Sequence, residues 1–259
     1  TKSNQFAFNS YLRYQSQPQE VCFSDGDSLM QNQQRDEKRF YTTNDIQMAY
    51  YSGPSELSLT AGFKLETNRI RSSMNEVPEF LKDSVTSSQW NYLEAGVFVR
   101  PSYVFKGKGY NINLTVPLIW QKTDAGKQGS DKQSFHHFVW TPSLRFYWKF
   151  HHFWEFMATG SYKHSPTSYM NLNDTYYYKN RNLLQRGIDG LGMDKQTQGS
   201  LNLYYRNPFY AFWSRLNMTY TQNKSDLISG YDFIGTQPIY TWQMANRSYK
   251  QFNVRGNVG

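Results

Sequence analysis

The chain is written in a period of two. Over about 56–70, Leu57, Leu59, Ala61, Phe63 and Leu65 fall on one face, and Ser58, Thr60, Gly62, Lys64 and Glu66 fall on the other. That alternation predicts a strand with one apolar side and one wet side. Over about 109–122, Tyr110, Ile112, Leu114, Val116, Leu118 and Trp120 oppose Asn111, Asn113, Thr115 and Gln121. Next, Phe138, Trp140, Leu144, Phe146 and Trp148 oppose Thr141, Ser143, Arg145 and Lys149. Trp154, Phe156, Ala158 and Tyr162 then oppose Glu155, Thr159, Ser161 and Lys163. Tyr210, Phe212, Leu216, Met218 and Tyr220 oppose Arg215, Asn217, Thr219 and Thr221. Weaker alternation predicts strands at about 4–15, 40–52, 89–105, 196–206 and 241–258. The total is about ten strands, many longer than those of a soluble sheet.

The connectors alternate as well. Short turns are predicted at Ser52–Ser55, Lys106–Gly109, Phe150–Phe153 and Arg206–Phe209. Long polar connectors fall between them at about 16–38, 73–88, 123–134, 165–195 and 223–240. Short turns on one side and long loops on the other are the pattern of a transmembrane β-barrel. Apolar faces that begin and end in aromatics, such as Tyr110 to Trp120 and Tyr210 to Tyr220, match its interfacial girdles. Pro101, Pro117 and Pro142 lie inside predicted strands and each removes a ladder donor, so bulges or non-hydrogen-bonded positions are expected there.

Composition sharpens this picture. Aromatics make up 18% of the 259 residues, while the mean hydropathy is −0.76. A soluble fold would need a core for those rings that the rest of the chain does not supply. A wall between lipid and water does not need one. The chain contains no run of 18 apolar residues that could form a transmembrane helix. The net charge of +8 is scattered, with no Lys/Arg block, which argues against nucleic acid as a partner. Cys22 is the one cysteine, so an intrachain disulfide or a cysteine metal cage is excluded. No signal peptide is visible, and Val254–Gly259 stop in mid-alternation. The expectation is a single all-β domain over 1–259: an antiparallel transmembrane barrel segment cut from a longer protein.

Candidate chemistry is sparse. Phe-His-His-Phe occurs at 135–138 and again at 150–153. At opposite ends of one strand these His pairs would lie roughly 50 Å apart, so no shared metal is expected. Asp25-Gly26-Asp27 resembles the start of a calcium loop, but the full pattern is missing. Asn-x-Ser/Thr triplets at Asn113, Asn173, Asn217, Asn223 and Asn246 read as a by-product of a polar lumen. His164 with Asp174 or Asp189 is the one pairing that an omptin-like protease would suggest, and its spacing makes no convincing dyad. No catalytic residue, metal site or cofactor is expected.

The lumen face collects the charges. Lys64, Glu66, Arg100, Arg145, Glu155, Lys163 and Arg215 all fall there, with Arg13, Glu94, Lys149, Arg206 and Arg255. A lumen charge stays hydrated, whereas a lipid-facing one is expensive. The face reads as a wetted wall or a surface that salt-bridges to a plug, ahead of one that favours anionic solutes. The connector 165–195 holds Tyr176, Tyr177, Tyr178, Arg181 and Arg186. This group reads equally as a platform for sugars or peptides and as packing for a self-structured loop.

Over Tyr178-Lys179-Asn180-Arg181-Asn182-Leu183-Leu184-Gln185-Arg186-Gly187, the strand Leu201–Pro208 and its partner Ala211–Tyr220, the chain resembles the barrel of a TonB-dependent outer-membrane transporter of the Bacteroidota type. The resemblance implies a segment of a barrel of about 22 strands in the bacterial outer membrane. It further implies contact with outer-membrane lipid, a plug domain and the TonB system, a surface lipoprotein as a further partner, and a nutrient ligand that these residues do not identify. The alternatives are a passive porin-like channel and an omptin-like ten-strand protease.

Overall fold

A computed structural model describes residues 2–24, 30–74, 87–128, 133–166, 176–180, 183–188, 192–235 and 237–259. They form one sheet of fourteen strands. These are β1 (Lys2–Ser24), β2 (Met30–Ser52), β3 (Ser55–Met74), β4 (Ser88–Lys106), β5 (Tyr110–Thr115), β6 (Leu118–Lys127) and β7 (Gln133–Trp140). They continue with β8 (Ser143–His151), β9 (Trp154–Pro166), β10 (Tyr176–Asn180), β11 (Leu183–Arg186), β12 (Met193–Asn207), β13 (Phe212–Ile234) and β14 (Gln237–Val258). Every pairing is antiparallel except that of β11 with β14.

The difference between fourteen strands and the expected ten has two causes. First, β5 with β6, and β7 with β8, are each one pass broken at Val116-Pro117 and Thr141-Pro142. The register runs through both breaks unchanged: Thr115 faces Ser143 and Leu118 faces Trp140. Second, β10 and β11 arise inside the expected connector 165–195.

The prolines break hydrogen bonds without shifting register. Val116 N–H donates to Pro101 O (3.0 Å), Thr141 N–H to Pro117 O (3.1 Å) and Tyr162 N–H to Pro142 O (3.0 Å). Each reciprocal bond is lost because proline has no N–H. Pro101 itself stays within β4, opposite Leu59.

The expected long connectors at 16–38 and 223–240 prove to be mostly paired strand. Gln15–Ser24 lie opposite Met30–Arg39 down to the pair Ser24–Met30. Ile234 pairs with Gln237 in the same way. Hydrophobic alternation stops there, while backbone pairing needs no apolar face. Three of the short turns stand as expected and the fourth falls two residues later, at Pro208–Ala211; Gly53 (φ 57°) and Gly109 (φ 83°) supply left-handed residues in two of them.

The faces are inverted relative to a soluble sheet. Register aligns Phe8, Ile46, Ala61, Val99, Leu118 and Trp140 across six passes on one face. Large apolar chains on that face are exposed, including Val97 at 61% and Trp120 at 63%. The opposite face buries polar groups, among them Asn68 at 2%, Gln121 at 2% and Thr123 at 0%. At the short-turn end, rings touch from pass to pass: Phe150 and Trp154 (6.2 Å), Trp154 and Tyr205 (4.8 Å), Tyr205 and Phe212 (5.9 Å). This placement gives the wall an aromatic rim.

Candidate functional site

Two assemblies stand on the polar face. The first is a ladder of paired charges climbing away from the short turns. Lys64 and Glu94 are ion-paired across β3 and β4, and Tyr92 Oη donates to the other Glu94 oxygen (2.6 Å). Arg39 Nε meets Glu66 at 2.9 Å, and Asn68 Nδ2 donates to Glu37 Oε1 at 2.8 Å. Beside them Thr123 Oγ1 and His137 Nε2 lie 3.0 Å apart. Facing residues two apart on neighbouring strands make these contacts available.

The residues expected on the lumen share this face. Lys64 and Glu66 are held in the ladder. Glu155 lies 3.9 Å from Lys149, and Arg215 Nη2 donates to Asn202 Oδ1 (3.2 Å). Arg145 and Lys163 are exposed, opposite Asn113 and Gln196. The exposed Arg100 guanidinium lies 5.7 Å from the Phe98 ring centroid. The seven therefore do not converge on one pocket.

The second assembly closes the far end of the wall. The β10–β11 hairpin leaves β9 and lays β11 parallel to the outer part of β14, with Leu184 opposite Ile239 and Arg186 opposite Thr241. Leu184, Ile239 and Met74 from the tip of β3 form a small core, with Tyr176 and Ile234 against it. The Arg35 guanidinium of β2 lies 5.4 Å from the Tyr177 ring centroid. Burial pushes the Tyr177 phenol above its ordinary range, and Arg35 draws it partly back. The Arg186 guanidinium lies 5.2 Å from the Tyr176 ring centroid, and its Nη1 donates to Tyr176 Oη (3.4 Å). Of the expected ligand group, Tyr176, Tyr177 and Arg186 lie in this hairpin and make these contacts. Tyr178 lies on β10 opposite Leu184, and Arg181 lies outside the described residues.

Near this hairpin a polar groove of about 950 Å³ opens among the outer ends of β1–β4 and β6, lined by Glu20, Gln34, Arg35, Asp36, Arg71 and Gln89 among others. Its volume is at the upper end of small-molecule sites, though such sites are usually more apolar. Arg35, Glu37, Arg39 and Met74 were not expected in any site. They fall in or beside stretches without apolar alternation, and their alternating charges were the one available signal. Asp25, Asp27, Asp174 and Asp189 lie outside the described residues. Among the described residues no cluster of His, Cys, Asp and Glu could hold a metal ion.

No family model matches the chain, and no curated protein resembles it in sequence. Solved structures do resemble it. It superposes on the copper transporter OprC with a TM-score of 0.66 at 11% identity, over 97% of this chain and 40% of that one. It superposes on the ferric yersiniabactin uptake receptor FyuA from Yersinia pestis with a TM-score of 0.56 at 10% identity, over 98% of this chain and 40% of that one. The shared property is the fold, a β-barrel wall like that of these outer-membrane proteins. The chain spans well under half the length of either structure.

Proposed function

We propose that the chain is the wall of an outer-membrane uptake receptor driven by the TonB system, of the Bacteroidota type suggested by its wording. It would supply about ten passes of a barrel that such receptors build with about 22 strands around a plug. The carrying observation is the inverted wall, in which apolar chains are exposed on a continuous outer face and polar chains are paired on the inner one. A soluble sheet arranged this way would aggregate; in a bilayer it is the arrangement expected.

In this reading the wall acts as scaffold and conduit, with no covalent chemistry of its own. The paired inner face meets a plug, the long hairpins and the β10–β11 hairpin meet the nutrient, and a surface lipoprotein covers that end. The protease reading needs a closed ten-pass barrel, and the porin-like reading a complete barrel with a constriction loop folded inward. Among the described residues β1 and β14 do not pair with each other, which weighs against both and leaves two edges for further strands.

The test is uptake by cells carrying the full-length protein, after glycans, peptides and metal chelates have been screened for binding. Import that stops on loss of TonB, while surface binding persists, supports the proposal. Import that continues without TonB points to the passive channel.

A further inference from the structure

Just beyond the apolar band, register sets three basic side chains in a row. His164 of β9 faces Lys195 of β12, which faces Lys224 of β13. All three lie on the face of Trp154, Phe156 and Tyr162, and Lys250 of β14 stands one diagonal from Lys224, opposite Gln222. Immediately below are Tyr162, Tyr220 and Phe252, the last rings of the band on these passes.

The row differs from two other outward lysines. Lys38 and Lys122 each have an acid on their own strand, Asp36 at 3.7 Å and Asp124 at 3.0 Å. Lys195, Lys224 and Lys250 are exposed and make no ion pair with a described residue. The acid that faces His164 is Asp226, whose Oδ2 accepts the Met193 N–H at 3.1 Å. Like charges directly opposite on a sheet repel, so Lys195 against Lys224 is an unfavourable pair until an anion bridges it. Lysine stems reach along an apolar surface while their ammonium groups stay at its polar edge. That edge is where lipid phosphates lie.

We propose that His164, Lys195, Lys224 and Lys250 form a binding site for the phosphate groups of lipids in the leaflet at the long-hairpin end. The inference rests on the membrane-wall reading given under Proposed function. The commitment is to lipid-borne phosphate: the row sits against the ring band, where an acyl chain can lie on Tyr162, Tyr220 and Phe252 while its phosphate meets the lysines.

The full-length protein is placed in phosphatidylcholine nanodiscs containing phosphatidylglycerol, and retained phosphatidylglycerol is counted by native mass spectrometry. Each surface lysine is worth roughly fivefold in attraction for anionic lipid. K195Q/K224Q/K250Q should therefore lose on the order of tenfold or more in retention, while K195R/K224R/K250R and the acid-paired outward control K38Q/K122Q keep it. Unchanged retention in the Gln triple variant overturns the site. Displacement of the lipid by equimolar glycerol phosphate overturns the commitment to lipid. If the triple variant does not insert, K224Q alone and a salt titration decide, and retention insensitive to both overturns the site. Heat-modifiable migration is followed in parallel. Loss of lipid selectivity in an inserted, heat-modifiable barrel counts against this site alone, whereas a wild-type protein that is soluble without detergent removes the membrane wall itself.

Discussion

Leu184 lies directly opposite Ile239 in the one parallel strand pairing among the described residues, and the two side chains are 0% and 2% exposed. With Met74 they join β11, the outer end of β14 and the tip of β3. A connector rich in Tyr and Arg is thus anchored by a leucine.

Leu184→Ala should release that anchor. Truncating a buried leucine costs about 2–5 kcal/mol, more than a short hairpin is expected to hold in reserve. Backbone amides of 183–186 and 239–241 should lose hydrogen-exchange protection in the full-length protein, while those of 57–65 keep theirs. Equal loss in both regions would show that the hairpin is part of the wall's own cooperative unit.

Charge placement should read out the two faces. Leu59→Arg or Leu114→Arg on the apolar face should destabilise the barrel by about 2–4 kcal/mol near mid-bilayer. Thr60→Arg on the polar face should cost well under half of that. Urea unfolding of the full-length protein in lipid vesicles measures both.

The ion pair of Lys64 and Glu94 is largely shielded, at 22% and 14% side-chain exposure. Lys64→Met alone leaves Glu94 without its cation and should cost about 1–3 kcal/mol, less than a fully buried pair because some water remains. Lys64→Met with Glu94→Leu should recover most of the loss. A double variant no better than the sum of the singles contradicts the pairing.

His164 stands above the band, faced by Lys195 from β12 and Asp226 from β13, with His137 of β7 also within electrostatic reach. Burial holds its pKa below the ordinary 6.5, Lys195 adds to this and Asp226 opposes it. The unfolded chain therefore takes up the proton first as pH falls. The stability His164 contributes is complete above about 6.5 and declines below that, through its lower folded pKa. His164→Gln should flatten the decline, as seen in unfolding midpoints measured down through that range.

What could be read in the chain, and what could not, follows from where water lies. The faces of Leu59, Leu114 and Phe212 were legible because lipid on one side and water on the other imposes a two-residue period. The outer halves of β1 and β2 were not. Around Gln15–Gln19 and Arg35–Arg39 no apolar face repeats, and backbone pairing alone marks the strand. The Arg35 contact with Tyr177 was hidden for the same reason. The Tyr176–Tyr177 cluster stood out in the connector, but its partners Met74 and Ile239 lie far away in the chain and carry no local signal. Pro117 and Pro142 were visible as breakers, whereas the unbroken register across them depends on both neighbouring strands.

The most direct measurement is a nitroxide scan of positions 57–66 in the full-length protein with Cys22 replaced by Ser, reconstituted in vesicles. Relaxation by oxygen reports lipid, and relaxation by a nickel chelate reports water. Oxygen accessibility should peak at 57, 59, 61, 63 and 65 and nickel accessibility at the positions between, out of phase throughout. Labels at 57, 59 and 63 that meet neither reagent, as in the interior of a sandwich, would contradict a wall set between hydrocarbon and water.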